Sequence, residues 1–423
     1  MRALSTEAAS PQAGPITEAS LRYDPFSAQY LADPFPMLAS LRQSEPVFFS
    51  PDLGTWVVTR GPTIKRVLAD SARFSALIVS DPLKPLCPHA RQVIERSEYD
   101  VPPMLVNNDP PSHARYRKFF AQPLQRARLL SLQPFIERTV DEYLDRMLDR
   151  GPPADLLAAL TWEVPALVIF ELLGVPRSDV ATIKRWADSR LVMSWGRPTD
   201  DEQVRQATNA VEFFRYAKAL VQDRVERPGD DYVSDLIRLR DGDDATMSLH
   251  EISGTVFNLL FAGHETTTNA ATNLFRHLLP DRTLWDRICR GEQPIAPVVE
   301  EGLRFDPPVH AWRRRAKVDV ELDGIAIPAG GRLLLVFAAG NHDPEMFPDP
   351  ERFDPDRKNA AQHMTFGFGA HYCMGAPLAR QEVELMVAGV ARRIPAIRLA
   401  DGQRFDYVPN TAMHALRALH VTW

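Results

Sequence analysis

The 423-residue chain has very little cysteine and no long apolar run. Its three cysteines, Cys87, Cys289 and Cys373, are too few and too far apart to form a disulfide framework, so we expect a reducing, cytoplasmic location. Residues 1–20 lack the apolar segment that a signal peptide requires. No run of about 18 apolar residues occurs, so we expect neither a transmembrane helix nor a membrane partner.

Positive charge is not in excess. The 49 lysines and arginines are outnumbered by 55 aspartates and glutamates, for a net charge of −6, which argues against nucleic acid as a partner. Proline is abundant, with 36 residues, and it gathers in loops and at helix boundaries. No repeat or low-complexity linker divides the chain, so we expect a flexible tail over 1–20, one body over 21–423, and a monomer.

Helical periodicity dominates the body of the chain. Strand patterns occur at 318–324 and 332–339, and a hairpin is expected within 45–60. The fold class is therefore mainly α with small β-sheets, in which a minor β lobe comes from 45–60, 318–339 and 397–423. Apolar residues recur at three- and four-residue spacing in seven segments: 112–122, 128–149, 155–173, 177–193, 201–226, 248–279 and 376–394.

One cysteine lies in a glycine-rich loop that leads into a helix, FGFGAHYCMG at 366–375. Glycine lets the backbone approach a bound group closely, and a helix N-terminus behind Cys373 favours a thiolate. The alternative is an inert buried cysteine. A zinc site needs further ligands at metal spacing, and the loop has none. A single thiolate suits a metal that brings its other ligands, as haem does.

The apolar segment 255–279 contains a group of residues that disfavour a helix. We expect one helix from Ser248, where Glu251 completes a capping box, to Pro280. Gly263, Glu265 and Thr266 lie in its middle. They could mark a kink whose polar face meets solvent, or a carboxylate and a hydroxyl that pass protons beside a ligand.

Two further polar patterns are weaker when each is considered alone. Glu301 and Arg304 share a helix face, and Arg352 in the loop 343–357 could complete a buried triad with them; an ordinary surface pair is the alternative. His113 and Arg117, four residues apart on a helix, could hold two carboxylates or simply form a solvated basic face. A basic cluster, WRRRA at 312–316, precedes the strand at 318–324.

Together these patterns resemble the cytochrome P450 family over residues 24–423, nearly the whole chain. FGFGAHYCMG is similar to the family's haem-binding loop, AGHETT to its oxygen-activating helix and EGLR to its Glu-x-x-Arg helix. DPPSHARYR is similar to the propionate-binding helix of bacterial members, and PERF to the meander. Segment 255–280 and the C-terminus also resemble the haem domains of fused, self-sufficient bacterial members.

The resemblance implies a haem b cofactor with Cys373 as the axial thiolate of the iron. It also implies that Glu265 and Thr266 relay protons during oxygen activation. Glu265 stands where many members have aspartate, and His371 where arginine is frequent. The remaining implied haem contacts are His113, Arg117, Arg314, Phe366, His371 and Gly375, with Arg314 preferred to Arg313 and Arg315 because of its spacing before the strand. Family analogy places Ile78, Val192, Ala262, Val309, His310 and Met413 in the substrate pocket, and makes Glu301, Arg304 and Arg352 structural.

The implied activity is insertion of one atom of O2 into a small hydrophobic or aromatic substrate, by hydroxylation or oxidative dealkylation. A peroxide-driven peroxygenase of the same fold and a haem sensor or carrier without turnover are the alternatives. Electrons from NAD(P)H would arrive through a ferredoxin or a fused-type reductase. Residues 110–136 contain no acid, so a solvated basic face or a docking site is expected there, near Arg115, Lys118, Arg126 and Arg128.

Overall fold

The computed structural model describes residues 14–423. Most of the expected N-terminal tail, residues 1–20, therefore lies outside the described residues. Its last three residues, 18–20, belong to a short helix, Glu18–Arg22, in which Ala19 and Ser20 are buried. The predicted body accordingly begins inside an ordered element.

Helices form most of the described chain, in agreement with the predicted fold class. Five short 3-10 turns (Leu105–Asn107, Gln122–Leu124, Arg177–Asp179, Ala360–Gln362 and Gly369–His371) and one π-helical turn (Leu157–Thr161) join them. The helices are α1 Glu18–Arg22, α2 Ala28–Ala32, α3 Phe35–Ser44, α4 Gly61–Ala69, α5 Pro88–Glu95, α6 Ser112–Ala121, α7 Arg126–Ser131, α8 Gln133–Arg150, α9 Val164–Leu173, α10 Val180–Trp195, α11 Asp200–Glu226, α12 Tyr232–Arg240, α13 Leu249–Ala262, α14 Glu265–Leu278, α15 Arg282–Cys289, α16 Ile295–Phe305, α17 Phe337–Asn341 and α18 Ala376–Arg393.

The strands form three small sheets. The largest has the order β1-β2-β8-β5-β3 and is antiparallel except between β2 and β8. A second sheet has the order β4-β10-β9, and β6 and β7 form a hairpin. The strands are β1 Val47–Ser50, β2 Thr55–Val58, β3 Phe74–Ser75, β4 Ala154–Asp155, β5 Ala311–Ala316, β6 Val320–Leu322, β7 Ile325–Ile327, β8 Arg332–Val336, β9 Arg398–Leu399 and β10 His420–Thr422.

Two expectations about these elements need correction. The basic cluster 312–316 does not merely precede a strand: it lies within β5, because its backbone pairs with β8 from Ala311 to Arg315. The predicted long helix is two helices, α13 and α14, separated at Gly263 and His264. Its start was predicted correctly, since Ser248 and Glu251 form the capping box at the N-terminus of α13.

The buried apolar residues form two clusters. The larger cluster joins α8, α9, α11 to α14, α16 and α18, and the smaller joins the five-stranded sheet to α3 and α4. Phe261, near the end of α13, packs against both clusters. Among residues 14–423, no helix combines the length and the hydropathy needed to cross a bilayer.

Candidate active site

The glycine-rich loop 366–375 is a tight turn that places Cys373 just before α18. Gly367 and Gly369 have φ of 74° and 71°, in the left-handed region that favours glycine. A Cβ on Gly369 would lie 2.8 Å from the carbonyl oxygen of Leu68, so a side chain there would collide with the end of α4. The Cys373 N–H donates to the carbonyl of Phe366 at 2.9 Å, which closes the turn.

The sulfur of Cys373 lies beside groups that favour a thiolate, although burial outweighs them in the protein alone. Its side chain is accessible to solvent, yet burial raises the pKa of the thiol because protein surrounds it on most sides; this combination is typical of an atom that lines a cleft. The N–H groups of Gly375 and Ala376 and the guanidinium of Arg117 act in the opposite direction and lower that pKa. A metal cation at the sulfur would complete the stabilisation, and the donor set fits a haem iron.

Phe366 is half-buried beside the loop, with the guanidinium of Arg380 4.5 Å from the centre of its ring. Arg380 is held in turn by an ion pair with Glu300. The ring of Tyr372 lies 6.3 Å from that of Phe366. Phe366 thus has aromatic and cationic neighbours beside the cysteine.

Three basic side chains from separate elements converge near the loop. The rings of His113, on α6, and His371 lie 4.0 Å apart, and Arg314 on β5 lowers the pKa of both histidines. Burial is the main cause, and the pKa of His371 falls to about 3. His113 is only 3% exposed, and its Nε2 atom is buried without a hydrogen-bond partner among residues 14–423. An unmet donor beside a guanidinium fits an anionic group, as haem propionates would be.

The strand β5 explains why Arg314, and neither neighbour, belongs to this group. Side chains alternate between the two faces of a strand, so Arg313 and Arg315 point away from the face of Arg314. Arg313 stacks on the Trp195 ring at 3.9 Å and donates to backbone carbonyls of Asp81 and Ser194. Arg314 donates only to the carbonyl of Arg313 and makes no ion pair with any carboxylate in residues 14–423.

Arg117, which was also predicted to contact the propionates, binds the cysteine loop in this structure. Its guanidinium donates to the carbonyl of Tyr372, next to Cys373. Arg117 lies close enough to lower the pKa values of His113 and His371, but its bond to the loop makes it an anchor for α6 against the cysteine loop. The group that converges on the predicted propionate site is therefore His113, His371 and Arg314.

The junction between α13 and α14 opens the helix where the proton relay was predicted. The Thr266 hydroxyl donates to the carbonyl of Ala262 at 3.1 Å, in place of a regular backbone bond. Gly263 packs so tightly that a Cβ there would lie 2.3 Å from Cγ1 of Ile169. The kink exists, but its polar face is not exposed: Glu265 is 7% exposed and Thr266 is half-buried.

Glu265 is a buried acid with unusual ionisation. Burial, together with the charge of Asp188, raises the pKa of Glu265 to about 7, while a hydrogen bond from Asn269 and the charge of Lys184 oppose that rise. Lys184 itself pairs with Glu163 at 3.2 Å. A carboxyl with a pKa near 7 can accept and release protons at neutral pH.

The predicted structural triad is present with one member changed. Arg304 donates twice to Glu301, at 2.8 Å each, and both side chains are fully buried. The third member is Arg357, whose Nε lies 3.2 Å from Glu301. Arg352 is exposed and contributes only its backbone carbonyl, which accepts from Arg304 and Arg357. The prediction of Arg352 was therefore wrong, because the turn at 349–357 brings Arg357 back to the helix.

Two of the predicted pocket residues, Val309 and Met413, belong to the smaller apolar cluster. Val309 and Met413 pair as an isolated antiparallel bridge, although they are far apart in sequence. Ile78 is buried, and Val192 and Ala262 are half-buried. His310 is directed elsewhere: its ring stacks on His414 at 4.4 Å, and its Nε2 lies 3.5 Å from Asp306. The structure thus gives His310 buried polar neighbours within the protein.

The predicted basic docking region is partly neutralised. Arg115 pairs with Glu251, and Arg128 pairs with Asp230. Lys118 and Arg126 are exposed and form no ion pair with a carboxylate in the described chain. Neither Glu251 nor Asp230 is near the segment in sequence, so its lack of acids did not reveal the pairing.

Comparisons with known proteins agree with this geometry. The family model for cytochrome P450 matches residues 90–290 and 295–393. Cytochrome P450 monooxygenase PikC of Streptomyces venezuelae is 35% identical over 93% of this chain and 92% of its own length. An intact type IV self-sufficient cytochrome P450 monooxygenase has a TM-score of 0.92 and 36% identity over 97% of this chain, which spans only 54% of that protein. Cytochrome P450 CREJ, solved with (4-ethylphenyl) dihydrogen phosphate, has a TM-score of 0.92 and 34% identity over 96% of this chain and 100% of its own.

Proposed function

The chain belongs to the cytochrome P450 family of haem-thiolate monooxygenases, and from this premise we propose that it oxidises a small hydrophobic or aromatic substrate with electrons from NAD(P)H. The reaction would insert one atom of O2, by hydroxylation or oxidative dealkylation. The observation that carries the proposal is a glycine-rich loop whose N–H groups are directed at the Cys373 sulfur, together with a buried acid–hydroxyl pair in the same fold.

Cys373 is the proposed ligand of the haem iron, with the N–H groups of Gly375 and Ala376 directed at its sulfur. His113, His371 and Arg314 would hold the propionates, and Arg117 would fix the loop. Haem, when bound through a thiolate, supplies the oxygen chemistry, since thiolate donation favours O–O cleavage. The protein must supply the protons and exclude bulk water.

Glu265 and Thr266 are the proposed proton carriers. The Thr266 hydroxyl is already oriented by its bond to Ala262 and can turn to accept and donate a proton. Glu265 is close in sequence, buried, and near half-protonated at neutral pH. A peroxide-driven enzyme has less need of such a pair, and a sensor or carrier has none, so these residues favour monooxygenation.

Apolar pocket residues support a small hydrophobic or aromatic substrate. Val309 and Met413 are brought together by their bridge, and Ile78 and Ala262 add apolar surface. The aryl phosphate bound by cytochrome P450 CREJ supports an aromatic body as well.

Electrons are proposed to arrive from a ferredoxin, or from a reductase of the fused type. Lys118 and Arg126 remain free for docking, whereas Arg115 and Arg128 are engaged within the protein. The self-sufficient relative supports the fused-type route, since this chain corresponds to about half of that protein.

The reduced, carbon-monoxide difference spectrum of the haem-loaded protein tests the ligand assignment. We expect a Soret band at the thiolate-ligated position, lost in Cys373→Ser and retained in the controls Cys87→Ser and Cys289→Ser. A wild-type spectrum without that band would contradict the proposal. Turnover with NAD(P)H, reductase and ferredoxin, compared with turnover on hydrogen peroxide alone, then separates monooxygenase from peroxygenase.

Replacement of Thr266 tests the relay. Thr266→Ala removes the hydroxyl and should lower the amount of product formed per NAD(P)H consumed by about tenfold or more. Thr266→Ser keeps the hydroxyl and should retain most of the coupling. Unchanged coupling in the alanine variant would argue for another proton route.

A further inference from the structure

Arg190, on α10, places a guanidinium among apolar side chains beside α13. Its centre lies 4.8 Å from the ring of Phe257 and 5.5 Å from that of Phe261. Its nitrogens contact the Met104 sulfur and the side-chain carbonyl oxygen of Asn258, each at 3.4 Å. Neither contact neutralises a positive charge, and a thioether is a weak acceptor. Arg190 is therefore a cation whose hydrogen-bonding capacity is largely unused.

Three other poorly exposed arginines of this protein have polar partners, whereas Arg314, at the predicted propionate site, also lacks a carboxylate partner among residues 14–423. Arg304 pairs with the carboxylate of Glu301, and Arg224 pairs with that of Asp231. Arg313 donates to two backbone carbonyls. Within residues 14–423, no carboxylate lies within ion-pair distance of Arg190. An uncompensated charge in apolar surroundings is costly, so its retention indicates a partner that comes from outside the chain.

The cleft around Arg190 combines polar side chains with mostly apolar walls. Tyr99 lines it as well, and no residue in 14–423 accepts a hydrogen bond from its hydroxyl; Ser80, Asn107, Ser189 and Ser194 are the other polar members of the cleft. Apolar atoms dominate the rest of the lining, which includes Pro82, Ile94, Val101, Met104, Met193 and Phe257. A guanidinium without a carboxylate partner in a mainly apolar cleft suits a ligand with a hydrophobic body and one anionic end.

The cleft has a defined position relative to the proton relay. Asn258, which contacts Arg190, is four residues before Ala262 on the unbroken helix α13. At a rise of 1.5 Å per residue, Asn258 lies about 6 Å before Ala262 along the axis of α13. Arg190, which contacts Asn258, is therefore about 6 Å along that axis from the opening of the helix. This offset is comparable to the length of a substituted aromatic ring.

We propose that Arg190 binds the carboxylate or phosphate group of an amphiphilic substrate and directs the substrate's hydrophobic end toward the opening between α13 and α14. The inference rests on the proposed monooxygenase function and adds the chemical class of the substrate to it. It assigns Arg190 a specificity-determining role: the planar guanidinium can hold two oxygens of one anion, which a point charge cannot do.

Calorimetric titration of the haem-loaded full chain tests this assignment with 4-ethylbenzoate and its neutral analogue 4-ethylbenzamide. Wild type should bind the benzoate at least tenfold more tightly than the benzamide. Arg190→Met should weaken benzoate binding by about 10- to 100-fold and change benzamide binding by less than about threefold. Arg190→Lys should lie between them. Arg185→Met, which removes an exposed arginine from the same helix, should resemble wild type.

Equal affinities of wild type for benzoate and benzamide, or an unchanged benzoate affinity in Arg190→Met, would overturn the proposal. Arg190→Gln serves as a second neutral variant if the methionine variant does not load haem. A parallel titration with 4-ethylphenyl phosphate tells whether the anion is a phosphate or a carboxylate, and tighter binding of either to wild type than to the variants supports the role of Arg190. The carbon-monoxide difference spectrum of each variant separates the two levels: a thiolate band without anion preference removes only the role of Arg190, whereas a missing band in wild type removes the proposed function itself.

Discussion

Glu265 illustrates how the surroundings of a single residue decide its chemistry. Isolated glutamate has a pKa near 4.3 and would be ionised at neutral pH. At this site burial opposes ionisation, and the helix break places the acid next to Thr266 rather than in solvent. Asp188 and Lys184, both on α10, influence it in opposite directions, and Asn269 on its own helix stabilises the charged form. The balance leaves the pKa at about 7.

This pKa predicts how coupling depends on pH. A carboxyl with a pKa of about 7 is protonated below that pH and ionised above it, so its ability to donate a proton is full in acid and falls as the pH rises. Product formed per NAD(P)H should therefore be constant below about pH 6, fall to about half of that value near pH 7 and decline further above it. Glu265→Gln should reduce the rate by about 100-fold and abolish the titration.

The control for that experiment is the peroxide-driven reaction of the same variants over the same pH range. The peroxide-driven reaction does not depend on the proton delivery that NAD(P)H-driven turnover requires. Its pH profile should therefore differ little between wild type and Glu265→Gln. A coupling profile that still declines near pH 7 in Glu265→Gln would assign the titration to another group.

At the scale of elements, helices could be predicted from the periodicity of apolar residues, whereas breaks within a helix could not. The periodicity of 248–279 is continuous, so it predicts one helix; Gly263 and the threonines hinted at a break, but its place follows from the contact of Gly263 with Ile169 on α9. The cysteine loop was readable because its glycines and its cysteine are adjacent in sequence. The second arginine that pairs with Glu301 could not be identified from the sequence, since loop 343–357 has no periodicity and contains two arginines that could reach the helix.

Because Arg357, and not the predicted Arg352, contacts Glu301 through its side chain, alanine variants of these two arginines form a matched pair. Arg357→Ala removes a buried donor to Glu301 and several bonds to loop carbonyls, and should lower the free energy of unfolding by about 1–3 kcal/mol. Arg352→Ala removes an exposed side chain whose carbonyl, the part in use, remains, and should change it by less than about 0.5 kcal/mol. Denaturant unfolding of both haem-loaded variants, together with their haem content, measures the difference.

A larger loss for Arg352→Ala than for Arg357→Ala would show that the surface arginine holds the loop. Glu301 keeps its pair with Arg304 in both variants, so neither should prevent folding. The difference in unfolding free energy between the two variants therefore measures the contribution of Arg357, the third member of the triad, alone.

At the scale of the whole molecule, the site lies where separate parts of the chain meet. Cys373 follows the meander, His113 comes from α6, Arg314 from the sheet, and Glu265 from α14. The sequence order of the motifs was sufficient to predict the family and the cofactor. It could not predict that Arg115 and Arg128 are neutralised by Glu251 and Asp230, because those pairs depend on how α6 packs against α13 and how α7 packs against the turn before α12.

The pairing leaves Lys118 and Arg126 as the unpaired charges of the proposed docking surface within residues 14–423, with the exposed Leu130 nearby in sequence. These residues follow Arg117, whose side chain contacts the cysteine loop. Charged residues at the edge of an interface mainly affect the association rate and its dependence on salt. An acidic ferredoxin would therefore be attracted to this surface most strongly at low ionic strength.

Reversal of the two free charges tests the surface directly. The double variant Lys118→Glu/Arg126→Glu should slow ferredoxin-driven turnover at low salt by about tenfold or more and should flatten its decline with added salt, because the attraction is removed. Arg185→Glu, a single charge reversal at an exposed position of α10, should leave the rate within about twofold of wild type. Peroxide-driven turnover should be unaffected in all three proteins, since it needs no docking. If the double variant matches wild type with ferredoxin while Arg185→Glu is slow, the donor approaches from the α10 side and the proposed surface is wrong.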